Sequence, residues 1–358
     1  MNIKKVKKNI GLFLPIIFLT VFGLINIYYA KYVSSLYNGL FIKQLLWVVI
    51  GVVLMFFIYG INIKYFLRWH KLFYIIGIFS LAFVLVFGTR INGASSWFSY
   101  KGISIQPSEL FKFFYIISLS YVAASKNNLF YLTIMMLIPV ILIGIEPDSG
   151  VALMYIIIYL VILFNVIKKK RYVFFFTSLF LILGISFVSL YFLNDVVFIN
   201  IFGTSFFYRM DRLLDFKNNT SFQLSNALIG MGASGFTGLG LYSSKIYVPE
   251  LPTDFAFCLS IINFGFMMGI CLILVYSFIL FKVFSLTNTK DLFYKYYSTS
   301  VFVLMFYQIL EHIFMNLGLT PITGITLPFL SYGGSSLISY FMIYGLLLKI
   351  TTNSSSYS

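Results

Sequence analysis

Several stretches of this 358-residue chain set carboxylates, cations and hydroxyls beside prolines and glycines in otherwise apolar sequence. In Pro249-Glu-Leu-Pro-Thr-Asp-Phe255, Asp254 stands directly before an apolar segment. Such an Asp can be a helix N-cap, accepting backbone N–H bonds at the positive end of the helix dipole. It can equally be a base, because partial desolvation raises proton affinity. In Gln106-Pro-Ser-Glu-Leu-Phe-Lys112, Pro107 suits a first helical turn, and Glu109 and Lys112 are i, i+3 neighbours able to pair. A lone charge at membrane depth costs about 2.5–3.5 kcal/mol, so pairing is expected. The pair is either a structural lock at a helix start or one wall of a polar cavity. Trp97, just upstream, fits that wall or an interface anchor. In Glu146-Pro-Asp-Ser-Gly150, Asp148 either caps the next helix or offers a second carboxylate to the same cavity. Between Thr320 and Ser336, two prolines, three glycines and many hydroxyls, including Ser331 and Tyr332, interrupt apolar sequence. Irregular backbone at membrane depth is tolerated only inside protein or along a wet cavity.

Other chemistries are poorly served. The Gly-rich run Met231 to Gly240 lacks the Lys-Ser/Thr of a P-loop, so turns and close packing account for it better than a nucleotide site. His312 follows Glu311 inside an apolar segment. It reads as a helix–helix hydrogen-bond partner, since no His/Cys/Asp cluster has metal-ligand spacing. Cys258 and Cys271 lie in one apolar stretch and make no disulfide framework.

The elements that must position these groups are membrane helices. The chain is 60% hydrophobic, 20% aromatic and only 10% charged, against about 25% charged for a soluble domain. Mean hydropathy is +0.96. That composition excludes a soluble enzyme, a nucleic-acid-binding domain and a disordered chain. We expect an all-α polytopic membrane protein forming a single domain over 1–358, with about ten spans near 10–30, 43–62, 71–88, 107–124, 129–145, 151–167, 172–193, 256–281, 297–315 and 331–350. No internal repeat supports an inverted-repeat transporter.

A net charge of +15 reads as topology. With both termini on the cytoplasmic side, most Lys and Arg fall inside, while of ten acids only Asp291 does. Chemistry or binding is therefore expected outside. The basic start runs into a retained first span rather than a cleaved signal. The 194–255 segment, between spans seven and eight, becomes a large extracytoplasmic loop. A loop that long should carry short helices. Phe207 to Phe216 fits an amphipathic one, with Arg209 and Arg212 on one face.

These motifs, in this order, resemble the SEDS family (shape, elongation, division and sporulation), which includes FtsW, RodA and SpoVE. Leu327-Pro-Phe-Leu-Ser-Tyr-Gly-Gly-Ser-Ser336 is close to the family signature. Gln106-Pro-Ser-Glu109 with Lys112, Pro147-Asp148 with Gly150, Tyr208-Arg209, and Pro249-Glu250 with Thr253-Asp-Phe255 match as well. The resemblance implies a glycosyltransferase of the bacterial cytoplasmic membrane that polymerises lipid II into peptidoglycan outside the cell. Its partner would be a class B penicillin-binding protein, with membrane lipid around it and no nucleic acid. Asp254 would then be catalytic. Glu109, Lys112, Asp148, Arg209, Arg212, Trp97, Ser331 and Tyr332 become substrate-binding candidates. Arg forks, with Lys112, could neutralise pyrophosphate, and a divalent cation could share that work, though no motif fixes one. The chain departs from the family at Ser95 and Ser96, where an Arg is common, at Pro252 for a usual His, at His312 for an Asn, and at Ile262 to Gly265 for Glu-Glu-Leu-Gly. The stretch after Arg212 is also shorter than usual. Two rivals use the same residues: a lipid II flippase, with 320–336 as a translocation path, and a non-catalytic scaffold for a penicillin-binding protein.

Overall fold

A computed structural model describes residues 3–91, 94–100, 102–125, 128–146, 148–167, 197, 222–241 and 246–354. The helices are α1 (Ile3–Ala30), α2 (Leu40–Gly60), α3 (Ile63–Phe87), α4 (Pro107–Ser125), α5 (Leu129–Ile145), α6 (Ser149–Val166), α7 (Phe222–Ser234), α8 (Ala256–Phe264), α9 (Phe266–Ser285), α10 (Leu292–Asn316) and α11 (Gly334–Ser354). Among the described residues seven of them are long and apolar enough to cross a membrane. The expected span 172–193 and the expected helix Phe207 to Phe216 lie outside the described residues.

Two helices form the centre. α4 is buried on nearly all sides, as is α11, whose apolar stretch is 94% buried. α11 packs on α2, α4 and α1, while α4 is flanked by α3, α10, α6 and α5. α2 and α3 turn most of their apolar side chains outward, as Phe57, Phe79 and Val86 do. In water that would be untenable; against lipid it is the expected outer surface. The core carries tyrosines whose hydroxyls reach backbone carbonyls: Tyr115 donates to Tyr155 O (3.1 Å), Tyr297 to Ile343 O (3.0 Å) and Tyr276 to Pro328 O (2.7 Å). Each ring fills space while its polar tip is satisfied inside protein.

Between α3 and α4 the chain forms a feature that helical patterning did not signal. β1 (Thr89–Ile91), β2 (Ala94–Tyr100) and β3 (Ile103–Ile105) make an antiparallel meander, with Phe98 opposite Ile105 and Tyr100 opposite Ile103. Gly102 (φ +78°) turns the second hairpin. Thr89, Ser99 and Ser104 link hydroxyls across its exposed face, a cross-strand pairing that stabilises short sheets.

The expected continuous span 256–281 is corrected. It is two helices, α8 and α9, broken at Gly265 (φ +81°, ψ 177°). That backbone region is essentially glycine's alone. The break exists because the Gly-rich run packs into it: Phe266 N donates to Gly235 O (3.0 Å), Leu239 N to Ile262 O (2.9 Å) and Gly240 N to Asn263 O (3.2 Å). A Cβ on Gly265 would collide with the Phe236 and Thr237 backbone. Hydropathy counts apolar residues and does not register such a bend.

Candidate functional site

Asp254 lies half-buried in a tight turn just before α8. Glu250, at φ +55°, aims its carbonyl at the N–H groups of Thr253 (3.2 Å), Asp254 (3.0 Å) and Phe255 (3.2 Å). Thr253 Oγ1 donates to the Glu250 carboxylate (2.9 Å). Three other parts of the chain hold the turn. Tyr332 N donates to Pro252 O (2.8 Å), Tyr37 Oη donates to Val248 O (3.0 Å), and Asn316 Nδ2 donates to Asp254 O (2.9 Å). The residue flanking α8 is Phe255, with no side-chain cap bond of its own. The N-cap explanation of Asp254 is therefore not what the backbone shows.

α10 presents a polar ladder toward this turn. Gln308, His312 and Asn316 recur every fourth residue on one face, and all are fully buried. Gln308 Nε2 donates to Thr326 O (2.9 Å), and His312 Nδ1 donates to Ile325 O (2.7 Å). Both anchor the irregular 317–333 segment. His312 thus serves a loop carbonyl and not a neighbouring helix as expected. Glu311 is flanked by Thr320 and Thr323 of the same segment. Gly324 (φ +72°) faces Asp254, and a Cβ there would stand 3.6 Å from Asp254 Oδ2. The other side of this strip touches α6: a Cβ on Gly150 would lie 3.2 Å from Ile325. Residues 323–326 therefore run between the start of α6 and Asp254.

Asp148 is the cap of α6, the first of the two roles read from its position, and its second oxygen is taken up inside the protein. Its Oδ1 accepts from Val151 N (3.2 Å), capping α6, and its Oδ2 accepts from Gln106 Nε2 (2.6 Å). Gln106 N in turn donates to Ser335 Oγ (2.8 Å), tying the α4 entrance to α11. Beside Asp148, Glu146 is fully buried. Burial, then the neighbouring Asp148 charge, push its carboxyl from 4.5 to about 8, against a lowering contribution from Ser96. Glu109 and Lys112 pair at 2.6 Å, and Lys112 Nζ also lies 5.5 Å from the Tyr340 ring centroid. Lys112 has no solvent exposure. The pair is thus enclosed within the bundle, as a structural lock would be.

Trp97 is half-buried on β2, where its carbonyl accepts from Thr89 Oγ1 (3.0 Å). Ser331 is buried, its Oγ accepting from Leu327 N (2.9 Å), while burial pushes the Tyr332 phenol up. Arg209 and Arg212 lie outside the described residues. Among the described residues no group of three His, Cys, Asp or Glu side chains could hold a metal ion. Three contributors were missed in sequence: Gln44, which clamps Ser331 O (3.2 Å) and Gly333 N (3.3 Å), Asn316, and Tyr37. Single polar residues in apolar spans were the available signal, but nothing in sequence says what they face.

The fold and this gathering of polar loops at one end of a helical bundle define a polytopic membrane protein with a buried, loop-built polar site. The chain belongs to the FtsW/RodA/SpoVE family of cell cycle proteins, which matches residues 11–356. It is 30% identical to stage V sporulation protein E of Bacillus subtilis (strain 168), over 98% of this chain and 99% of that protein. It is 32% identical to the probable peptidoglycan glycosyltransferase FtsW of Wigglesworthia glossinidia brevipalpis, over 94% and 92%. Its fold matches a chain from a structure described as structural coordination of polymerization and crosslinking by a peptidoglycan synthase complex (TM-score 0.79, 22% identity, 96% and 97% covered). It also matches the rod shape determining protein RodA of Thermus thermophilus (TM-score 0.70, 22% identity, 96% and 97% covered).

Proposed function

We propose that this protein is a peptidoglycan glycosyltransferase that polymerises lipid II at the outer face of the cytoplasmic membrane, with Asp254 as the general base. The carrying observation is the Asp254 turn: a carboxylate at the mouth of α8, braced by α10, opposite a glycine that leaves the space beside Oδ2 open. The family's relatives named glycosyltransferase lend the reaction class.

In this reading Asp254 takes the proton from the 4-hydroxyl of the acceptor sugar. The freed oxygen attacks the anomeric carbon of the donor, the bond to pyrophosphate breaks, and configuration inverts because no covalent enzyme intermediate forms. Undecaprenyl pyrophosphate leaves with negative charge, which Arg209 and Arg212 meet; planar guanidinium forks suit phosphate oxygens. The Glu109–Lys112 pair and the Gln106–Asp148 bond keep the α4 and α6 entrances in place. The cognate transpeptidase would be a class B penicillin-binding protein that cross-links the emerging strand.

Purified protein with and without that partner, given lipid II, should yield polymer on a gel. Asp254→Asn should lower the rate by about 100-fold or more, the usual worth of a positioned base. Polymer from both proteins would keep the enzyme and move the base elsewhere. Headgroup translocation in liposomes without polymer would replace this reading with the flippase. Partner binding with neither activity would replace it with the scaffold.

A further inference from the structure

The Asn316 side chain touches both Asp254 and the helix that follows it. Its Nδ2 donates to Asp254 O (2.9 Å) and to His312 O (2.8 Å), and its Oδ1 accepts from Cys258 N (2.9 Å). Both amide hydrogens and the carbonyl oxygen are therefore used, and the side chain is fully buried. Cys258 is the third residue of α8. The N–H at that place is the one an N-cap side chain ordinarily takes. Here the cap comes from a different helix, α10, while the residue flanking α8 makes no such bond.

The same ladder holds the facing wall. One turn before Asn316, His312 anchors Ile325 O, and Gly324 beside it is the residue opposite Asp254 Oδ2. α10 thus grips both sides of the site from one rigid face. We infer that Asn316 is a positioning residue: it sets the Asp254 turn against the 323–326 wall by capping α8 from α10. The inference rests on Asp254 being the base, and its role is in kcat, because the amide holds backbone and does not meet substrate.

The test compares full-length wild type with Asn316→Ala, Asn316→Asp and a control, Asn26→Ala. Asn26 makes another buried bond to α8, donating to Ser260 Oγ (2.7 Å), without touching the Asp254 turn. Asn316→Asp keeps an acceptor for Cys258 N and loses the donor to Asp254 O. With lipid II, both Asn316 variants should lose about 10- to 100-fold in kcat, the scale of a small misplacement of a catalytic group. Their KM should stay within about twofold, and Asn26→Ala should keep wild-type kcat. Wild-type kcat in Asn316→Asp, or equal losses in Asn316→Ala and Asn26→Ala, would overturn the inference. Amide exchange over 252–259 is read in parallel: it should quicken in Asn316→Ala and not in Asn26→Ala. If wild type makes no polymer, the glycosyltransferase reading fails, and exchange alone decides: unchanged protection in Asn316→Ala would overturn the positioning role.

Discussion

At the scale of single residues the site depends on who supplies each backbone bond. Asp254 need not cap α8 because Asn316 does, so its carboxylate can be oriented by the turn instead. Gly324 is the matching economy on the other wall. An Ala there would meet Asp254 Oδ2 at 3.6 Å and would have to adopt φ +72°. Left-handed backbone costs a non-glycine residue roughly 1–2 kcal/mol. Gly324→Ala should therefore lower both melting temperature and polymerisation rate, measured on the purified protein by thermal unfolding and by the gel assay. Glu146 carries a pH signature. Burial, then the neighbouring Asp148 charge, push its folded carboxyl up to about 8, while in the unfolded chain it keeps the ordinary value near 4.5. The folded state then binds the extra proton between those values, so stability falls as pH rises from about 4.5 to 8 and levels off above. Glu146→Gln should flatten that slope and unfold later than wild type at pH 8 and above; parallel wild-type and variant melting curves across this range would sink the assignment.

At the scale of elements, charge and glycine decide where helices start and stop. The Glu109–Lys112 pair sits inside the first turns of α4, the most enclosed helix beside α11. Removing one partner strands a buried charge, at a cost of about 3–5 kcal/mol, whereas replacing both with apolar groups of similar size is often near neutral. Lys112→Met should melt well below wild type, and Glu109→Gln combined with Lys112→Met should recover most of the loss. Gly265 carries a different constraint. Its φ, ψ pair and the Phe236 backbone against it leave no room for a side chain. Gly265→Ala should therefore reduce the yield of folded protein in detergent, seen as a shifted or missing monodisperse peak on size exclusion, and Gly235→Ala, with open space around its Cβ position, should do so less.

At the scale of the molecule, the irregular backbone around Asp254 collects at one end of the bundle. The β meander, the Asp148 cap, the Asp254 turn and the 317–333 segment are joined by Ser96 donating to Glu146 O (3.3 Å), Gln106 to Asp148, Tyr332 N to Pro252 O and Asn316 to Asp254 O. At the opposite end, Lys349 Nζ donates to Tyr59 O (3.0 Å) and to Ile61 O, a cation closing the C-terminus of α2. The proposed function needs the first end outside, as the charge bias of the sequence leads one to expect. In a Cys271→Ser background, Ser104→Cys should react with an impermeant maleimide in intact cells, and Lys290→Cys only after permeabilisation. The reverse pattern would put the site in the cytoplasm and remove the lipid II polymerase reading with it.

Sequence alone determined that this chain lives in a membrane, because apolar composition and span length are properties of the chain whatever it packs against. It also determined several local facts. Glu109 and Lys112 pair because three residues along a helix brings them together, and Asp148 caps α6 because the cap is three residues from the N–H it serves. The motif order disclosed the family. What it could not disclose were bonds across the fold. Gln44 to Ser331, Tyr37 to Val248 and Asn316 to Asp254 join residues far apart in the chain, and no periodicity encodes such a partner. The break at Gly265 was hidden for the same reason: a glycine in an apolar run is tolerated in a helix unless another backbone needs its place, and the 235–240 segment does. Patterning fixes which face of a helix is polar; only packing decides what that face holds, and here α10 holds both walls of the site.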